Sequence, residues 1–143
     1  MYKRQILLDT NVVSELMRPA PEPKVLAWLD AQPAADVWIS AITVGEIRLG
    51  IALLPDGQRK ESLAGLAEAM FQEDFSDSCL SYDVLAAAEY ATIVATRTHL
   101  GRPISVEDAQ IAAIARSVGL TLATRNTKDF SDIDELQLMN PWT

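Results

Sequence analysis

Ile6-Leu7-Leu8-Asp9-Thr10-Asn11 sets three apolar residues directly against an acid and two short polar groups. A short continuous apolar run suits a strand covered on both faces, as in a parallel sheet. Asp9 then stands at the strand's carboxyl end, the edge where open α/β sheets gather their ligands. Whether that edge is a site depends on whether other acids reach it.

Outward from this strand the chain alternates helical and extended patterns. Val12, Val13, Leu16 and Met17 recur at helical spacing through Thr10 to Met17, and Arg18-Pro19 stops them. Pro21-Glu22-Pro23 opens a second helix to about Ala31, with Val25, Leu26 and Leu29 on one face, and Pro33 ends it. Val37-Trp38-Ile39 reads as the second strand. Ser40 to Leu54 follows as a helix with two apolar stripes, Ile47-Ile51-Leu54 and Leu49-Leu53, which predict cover over much of its surface. Pro55-Asp56-Gly57 marks a turn, Arg59 to Phe71 another amphipathic helix, and Asp74 to Ser78 a polar connection.

Cys79-Leu80 is a short strand candidate before Asp83, and Val84 to Leu100 a long alanine-rich helix closed by Gly101. Ser105 to Val118 is helical, with Ile111, Ala115 and Val118 stepping along one face, and Leu120 to Ala123 is the fourth strand. Leu136-Gln137-Leu138 completes the pattern as a fifth. Strands alternating with helices require right-handed crossovers, and so predict an α/β fold: a three-layer α/β/α sandwich with a mainly parallel central sheet. No internal repeat, low-complexity tract or linker divides the chain, which reads as a single domain over residues 1–143.

With 49% hydrophobic and 22% charged residues, the composition is that of a folded globular protein and excludes the disordered class. No apolar run reaches the roughly 18 to 20 residues of a membrane-spanning helix. Met1-Tyr2-Lys3-Arg4 leads into a core strand instead of a signal peptide, which points to the cytoplasm and to no membrane association. Cys79 is the single cysteine, so an intrachain disulfide or a cysteine-zinc cluster is excluded, and it reads as a small buried hydrophobe. His99, the single histidine, lies near a helix end, where it serves as a charge; a histidine-based mechanism is disfavoured. Twelve Lys and Arg against twenty Asp and Glu give a net charge of −8, the wrong sign for coating a nucleic acid through a broad basic face. The surplus suits solubility, an acidic pocket that a divalent cation neutralises, or a basic protein partner.

Several acids occupy equivalent topological places. Glu46 lies in the first turns after the second strand, Asp108 opens a helix, and Asn126 and Asp129 follow the fourth strand. In a parallel sheet the strand ends point one way, so Asp9, Glu46 and Asn126 or Asp129 can converge on one edge, with Asp108 joining from a helix amino terminus. Each also has a plainer reading. Asp9 is a good helix cap, Asn126 and Asp129 are good turn residues, and Glu46 and Asp108 stand three residues after Thr43 and Ser105, as in a capping box. Against capping alone, Asp108 shares the face of Ile111, Ala115 and Val118, and Glu46 that of Leu49, Gly50 and Leu53, where Gly50 would admit another backbone. A carboxylate turned toward a core needs partners.

Acids gathered at one sheet edge repel and raise one another's pKa unless a cation sits between them. Oxygen ligands without His or Cys suit Mg²⁺ or Mn²⁺ over Zn²⁺, and Mg²⁺ is usually shared between carboxylates and substrate phosphates. Two such ions about 3.5 to 4 Å apart would activate water and steady the leaving oxygen of an in-line displacement. That is nuclease chemistry.

The chain resembles the PIN-domain ribonucleases, and among them the VapC-like and FitB-like toxins of type II toxin-antitoxin pairs, over essentially its whole length. The matching pieces are Leu8-Asp9-Thr10-Asn11, Ser40 to Gly50 with Glu46, Gly101-Arg102-Pro103-Ile104-Ser105 leading to Asp108-Ala109-Gln110-Ile111-Ala112, Ala123-Thr124-Arg125-Asn126 with Asp129-Phe130, and Asn140-Pro141-Trp142. The resemblance implies a Mg²⁺-dependent endonuclease acting on RNA, a homodimer, and inhibition by a cognate antitoxin protein. By position it implies a metal site of Asp9, Glu46 and Asp108. Where such enzymes often carry a fourth acid, this chain has Asn126, with Asp129 able to supply the carboxylate instead. Thr10, Asn11 and Thr124 are candidates to hydrogen-bond the ligands, and capping is their plainer role. Arg125 suits a phosphate contact, while Arg48 and Arg102 read equally as solvated charges. Trp28, Trp38 and Trp142 show no interleaving with basic residues and read as core.

Two other readings compete. A non-catalytic signalling module, such as a phosphoacceptor receiver, also keeps an acidic Mg²⁺ pocket at its strand ends, but it wants two adjacent acids after the first strand and a phosphoacceptor Asp after a central one. This chain offers Asp9 followed by Thr10-Asn11. The other is a PIN fold that only binds its partner, which the Asn126 departure keeps open.

Overall fold

β1 (Ile6–Leu8) lies at the centre of the sheet in the computed structural model, which describes residues 5–143. Among these residues five strands form one sheet in the order β3-β2-β1-β4-β5, with β2 at Val37–Ser40, β3 at Cys79–Leu80, β4 at Thr121–Ala123 and β5 at Leu138–Met139. Every pairing is parallel, including Ile6 opposite Val37 and Leu8 opposite Ala123. The expected Met1 to Arg4 lead into β1 lies outside the described residues.

Side chains of β1 alternate between two cores, as the twofold period of a strand demands. Leu7 joins one core with residues of α5 (Val84–His99) and α6 (Val106–Val118), among them Ile93, Ile111 and Ile114. Ile6 and Leu8 join the other, with Val12 and Val13 of α1 (Thr10–Leu16), Val25 of α2 (Pro23–Asp30), Ile47 of α3 (Ala41–Ala52) and Ala67 of α4 (Gln58–Ala69). This is the three-layer α/β/α arrangement. Because all strands run the same way, the turn after each one opens on the same edge.

The structure departs from sequence expectation where a local pattern was overruled. A short helix, α7 (Thr127–Phe130), fills what read as a turn after β4, anchored by buried Phe130. The Arg59 to Phe71 helix ends as α4 at Ala69 and passes into a π-helical turn at Met70–Asp74. The fifth strand falls on Leu138–Met139, beyond the Leu136 start read from sequence, because Leu138 pairs with Leu122 and Met139 with Ala123. Cys79 is exposed, since β3 is an edge strand. The second stripe of α3 is uncovered, with Leu49 59% and Leu53 76% exposed, and nothing lies within 4 Å of a Cβ built on Gly50, so no backbone approaches there. On α6 the inward series holds for Ile111 and Ala115 and fails at Val118, which is exposed at the helix end. His99 does fall in the last turn of α5, where its dipole interaction was expected.

Leu7 is fully buried in the central strand, so Leu7→Ala should cost about 3 kcal/mol through lost burial and the cavity left behind. Urea unfolding of the variant against the parent measures it; a loss well under 1 kcal/mol would contradict this view of the core.

Candidate metal centre

Asp9 is placed by pairing. Its backbone N–H donates to the Ala123 carbonyl at 2.9 Å, extending the β1–β4 ladder by one residue and bringing positions 9 and 124 side by side. The Asp9 carboxylate caps α1 by accepting the Thr10 N–H at 2.8 Å. Its other oxygen accepts the buried Thr124 hydroxyl at 2.7 Å and the Asn11 amide at 3.4 Å. Capping and a site role therefore coincide in one side chain, which is only 4% exposed.

Glu46 reaches the same place from the β2 side. Ser40 caps α3 by accepting the Thr43 N–H at 3.1 Å, so Glu46 lies beyond the first turn and the capping-box reading fails for it. Its carboxylate instead accepts the Thr10 hydroxyl at 2.7 Å. Thr10 spends its one proton on Glu46, so the fully buried Thr43, 2.9 Å away, donates to Thr10. A chain of hydroxyls thus ends on the carboxylate and holds it in one rotamer.

Asp108 sits half-buried in the first turn of α6, its N–H donating to the Ser105 hydroxyl at 3.2 Å. Half of the expected capping box is real. Asp9, Glu46, Asp108 and Asn126 all line one cleft of about 450 Å³ at the carboxyl edge of the sheet. Asn126 donates its backbone N–H to Thr124 at 3.1 Å, and its side chain forms no capping hydrogen bond to α7. Asp129, the other candidate, is exposed and stands outside the lining of that cleft, though its charge reaches Asp108.

The acids feel their burial and one another. Asp9 is pushed up from 3.8 to about 6, first by burial, with Asp108 and Glu46 adding repulsion and the Thr124 and Thr10 hydrogen bonds opposing. Burial also raises Asp108, helped by Asp129, Glu46 and Glu107 against the Ser105 hydrogen bond. Among the described residues, no three His, Cys, Asp or Glu side chains stand close enough together to hold an ion jointly. Asp9, Glu46 and Asp108 line one cleft without forming a ready-made three-carboxylate cage. The donor set still fits a hydrated hard cation, which takes oxygen ligands, keeps several waters and needs only one or two carboxylates directly. Asp9 is the side chain best fitted to such an ion, because its burial leaves a charge that its three hydrogen bonds do not fully offset.

Two residues of the site neighbourhood escaped the sequence reading. Glu15, on the cleft wall, is 5% exposed; its carboxyl is held below the usual range by the Glu22 N–H at 2.9 Å and by Arg18 at 3.2 Å. The Glu15 and Arg18 spacing of three was the available signal. Arg97 is buried at the end of α5, donating to the Arg102 carbonyl at 2.8 Å and the Asp129 carbonyl at 2.7 Å. It ties the loop before α6 to α7, and nothing in the sequence separates it from a solvated helix-end cation. Trp28 and Trp38 pack against the two cores as expected, but Trp142 also carries the Arg125 guanidinium over its ring, 5.1 Å from the centroid.

The PIN domain family profile matches residues 6–136. Toxin FitB of Neisseria gonorrhoeae is 46% identical over 138 residues, covering 96% of this chain and 98% of its own. The VapC ribonuclease Y4jK of Sinorhizobium fredii is 39% identical over 137 residues, 96% of this chain and 97% of its own. Among solved structures, FitAB bound to an IR36 DNA fragment matches with a TM-score of 0.89 at 43% identity, covering 97% of this chain and 96% of that one.

Two outcomes follow from this geometry. In metal-free protein the raised Asp9 pKa means the folded state holds a proton that the unfolded chain has released between pH 3.8 and about 6, so stability falls as pH rises through that window. Asp9→Asn should accordingly gain up to roughly 3 kcal/mol over the parent at pH 8 and nothing near pH 4. Chelator-treated urea melts at both pH values measure this, and an equal difference at both would contradict it. Thr10→Val removes the hydroxyl that holds Glu46, and should weaken Mn²⁺ binding roughly ten-fold, with Thr10→Ser restoring it; unchanged affinity in the valine variant would remove Thr10 from the site.

Proposed function

The chain belongs to the PIN domain family, and from that membership we propose that it is a metal-dependent endoribonuclease, the toxin of a type II toxin-antitoxin pair. The observation that carries the reading is the convergence of Asp9, Glu46 and Asp108 on one cleft from three separate stretches of chain. The names of the FitB and VapC relatives support the toxin and ribonuclease parts. Mg²⁺ is the ion, with Mn²⁺ as a substitute, because the donors are all oxygen.

When bound, the ion supplies neutralising charge, a water of lowered pKa and stabilisation of the departing oxygen in phosphodiester hydrolysis. The chain's own part is to hold and orient. Asp9 and Asp108 carry the ligand oxygens, Glu46 is held against its neighbours by Thr10, and Asn126 offers a neutral oxygen or amide at the far wall. The Thr124 hydroxyl and the Asn11 amide keep Asp9 in place.

An apolar groove of about 960 Å³ shares Thr10, Ser14, Arg18 and Glu46 with the acidic cleft. A cognate antitoxin seated there would block the cleft directly, and the net charge of −8 favours basic residues on its contacting segment. Exposed Leu49 and Leu53, four residues apart on one face of α3, support a homodimer. None of the described helices is long and apolar enough to cross a membrane, and the cytoplasm is where its RNA would be met. Against the receiver reading, β2 ends on Ser40 and β4 runs into Thr124, so neither neighbour of β1 presents a phosphoacceptor Asp.

Asp9→Asn and Asp108→Asn should each lower Mg²⁺-dependent RNA cleavage by roughly a hundred-fold or more while the protein stays folded. Wild-type-like cleavage by either variant would sink the site assignment. Expression of the chain alone should arrest growth, and co-expression of the adjacent antitoxin gene should relieve it.

A further inference from the structure

An acidic cleft in a protein of charge −8 repels a polyanion, and a basic side chain beside it that is not already paired adds to the attraction that a bound divalent ion supplies. Arg18 lines the cleft but is paired with Glu15 at 3.2 Å. Arg48, Lys60, Arg102 and Arg116 are likewise in ion pairs, and Arg97 is buried on backbone carbonyls. Arg125 differs. Among the described residues Lys24, Arg59, Lys128 and Arg125 stand in no ion pair, and of these Arg125 lies over an aromatic ring, its guanidinium 5.1 Å from the Trp142 centroid.

The backbone around this pair is fixed from the site outward. The Arg125 N–H donates to the Asn11 side-chain oxygen at 3.3 Å, and the Asn11 amide in turn reaches Asp9 and Thr124. Asn140 takes the Trp142 N–H at 2.9 Å and extends its own amide toward the Arg125 carbonyl at 3.5 Å. Trp142 packs against the core shared by Ile6 and Leu8, so the ring is a fixed platform. Arg125 adjoins Asn126, bonds Asn11 and acts electrostatically on Glu15, three residues of the cleft lining, which sets it at the rim.

We propose that Arg125, laid over Trp142 and exposed at the rim of the acidic cleft, is a binding site for a backbone phosphate of the RNA beside the one that is cut. A guanidinium held on an aromatic face loses part of its freedom before the ligand arrives and keeps its N–H edge free for bidentate contact with phosphate oxygens. The contact carries no base information, so it strengthens binding of any RNA alike. It lies off the reacting atoms and acts on substrate capture, not on bond cleavage. This assignment rests on the ribonuclease reading.

The test is steady-state cleavage of a fluorescently labelled single-stranded oligoribonucleotide by the Mg²⁺-loaded protein across a salt series. Arg125→Gln should raise KM roughly ten-fold with kcat held, and reduce the slope of log kcat/KM against log salt by about one. Arg125→Lys should keep the slope and lose part of the affinity, because charge remains and the bidentate fork is gone. Trp142→Leu should move KM in the same direction by less, with Trp142→Phe close to the parent. Wild-type KM and salt slope in Arg125→Gln would overturn the assignment and leave the ribonuclease reading standing. Failure of the parent protein to cleave RNA in Mg²⁺ would overturn both.

Discussion

The structure depends on the burial of one carboxylate where two parallel strands end together. Asp9 is carried below the surface by the β1–β4 ladder, whose last backbone bond is its own N–H to Ala123. Three hydrogen bonds to a carboxylate ordinarily lower its pKa, yet Asp9 stays raised because burial outweighs them and Asp108 and Glu46 add repulsion. A fold that keeps this arrangement bears its cost in the metal-free state. The cost has a physical purpose if a cation completes the site, since the same burial strengthens each ion-carboxylate contact.

Thr10 and Asn11 divide the work on either side of that carboxylate. Thr10 turns toward β2 and α3, where its hydroxyl links Thr43 to Glu46. Asn11 turns toward β4, where its amide joins Asp9 and Thr124 and its oxygen takes the Arg125 N–H. Two adjacent residues in the first turn of one helix thus tie the acidic side of the cleft to its rim. Arg97 does a related task from behind, joining the loop ahead of Asp108 to the helix that follows Asn126.

Most of the architecture was legible in the sequence because its signals are local. Ile6 to Leu8, Val37 to Ile39 and Thr121 to Ala123 are short apolar runs, and Pro33, Gly101 and Gly119 end the helices between them. Convergence of the acids followed from topology alone, since parallel strands share an edge. What was hidden depends on contacts distant in sequence. Glu46 looked like a capping residue until Ser40 took that role. α7 has four residues, too few for periodicity, and forms because Phe130 is buried. Leu49 and Leu53 made an apolar stripe that this chain does not cover, since periodicity reports a face and not what lies against it. The Arg125 and Trp142 pair joins residues on opposite sides of β5, a proximity no spacing rule announces.

The central claim is that the cleft is a divalent-cation site built on Asp9 and Asp108. Titrating the folded protein with Mn²⁺ and following the free ion by electron paramagnetic resonance tests it most directly, because the signal reports binding without requiring the right RNA. The account predicts saturable binding by the parent protein, competed by Mg²⁺ and lost in both Asp9→Asn and Asp108→Asn. Absence of saturable binding by the parent, or binding of parental strength in either variant, would contradict it.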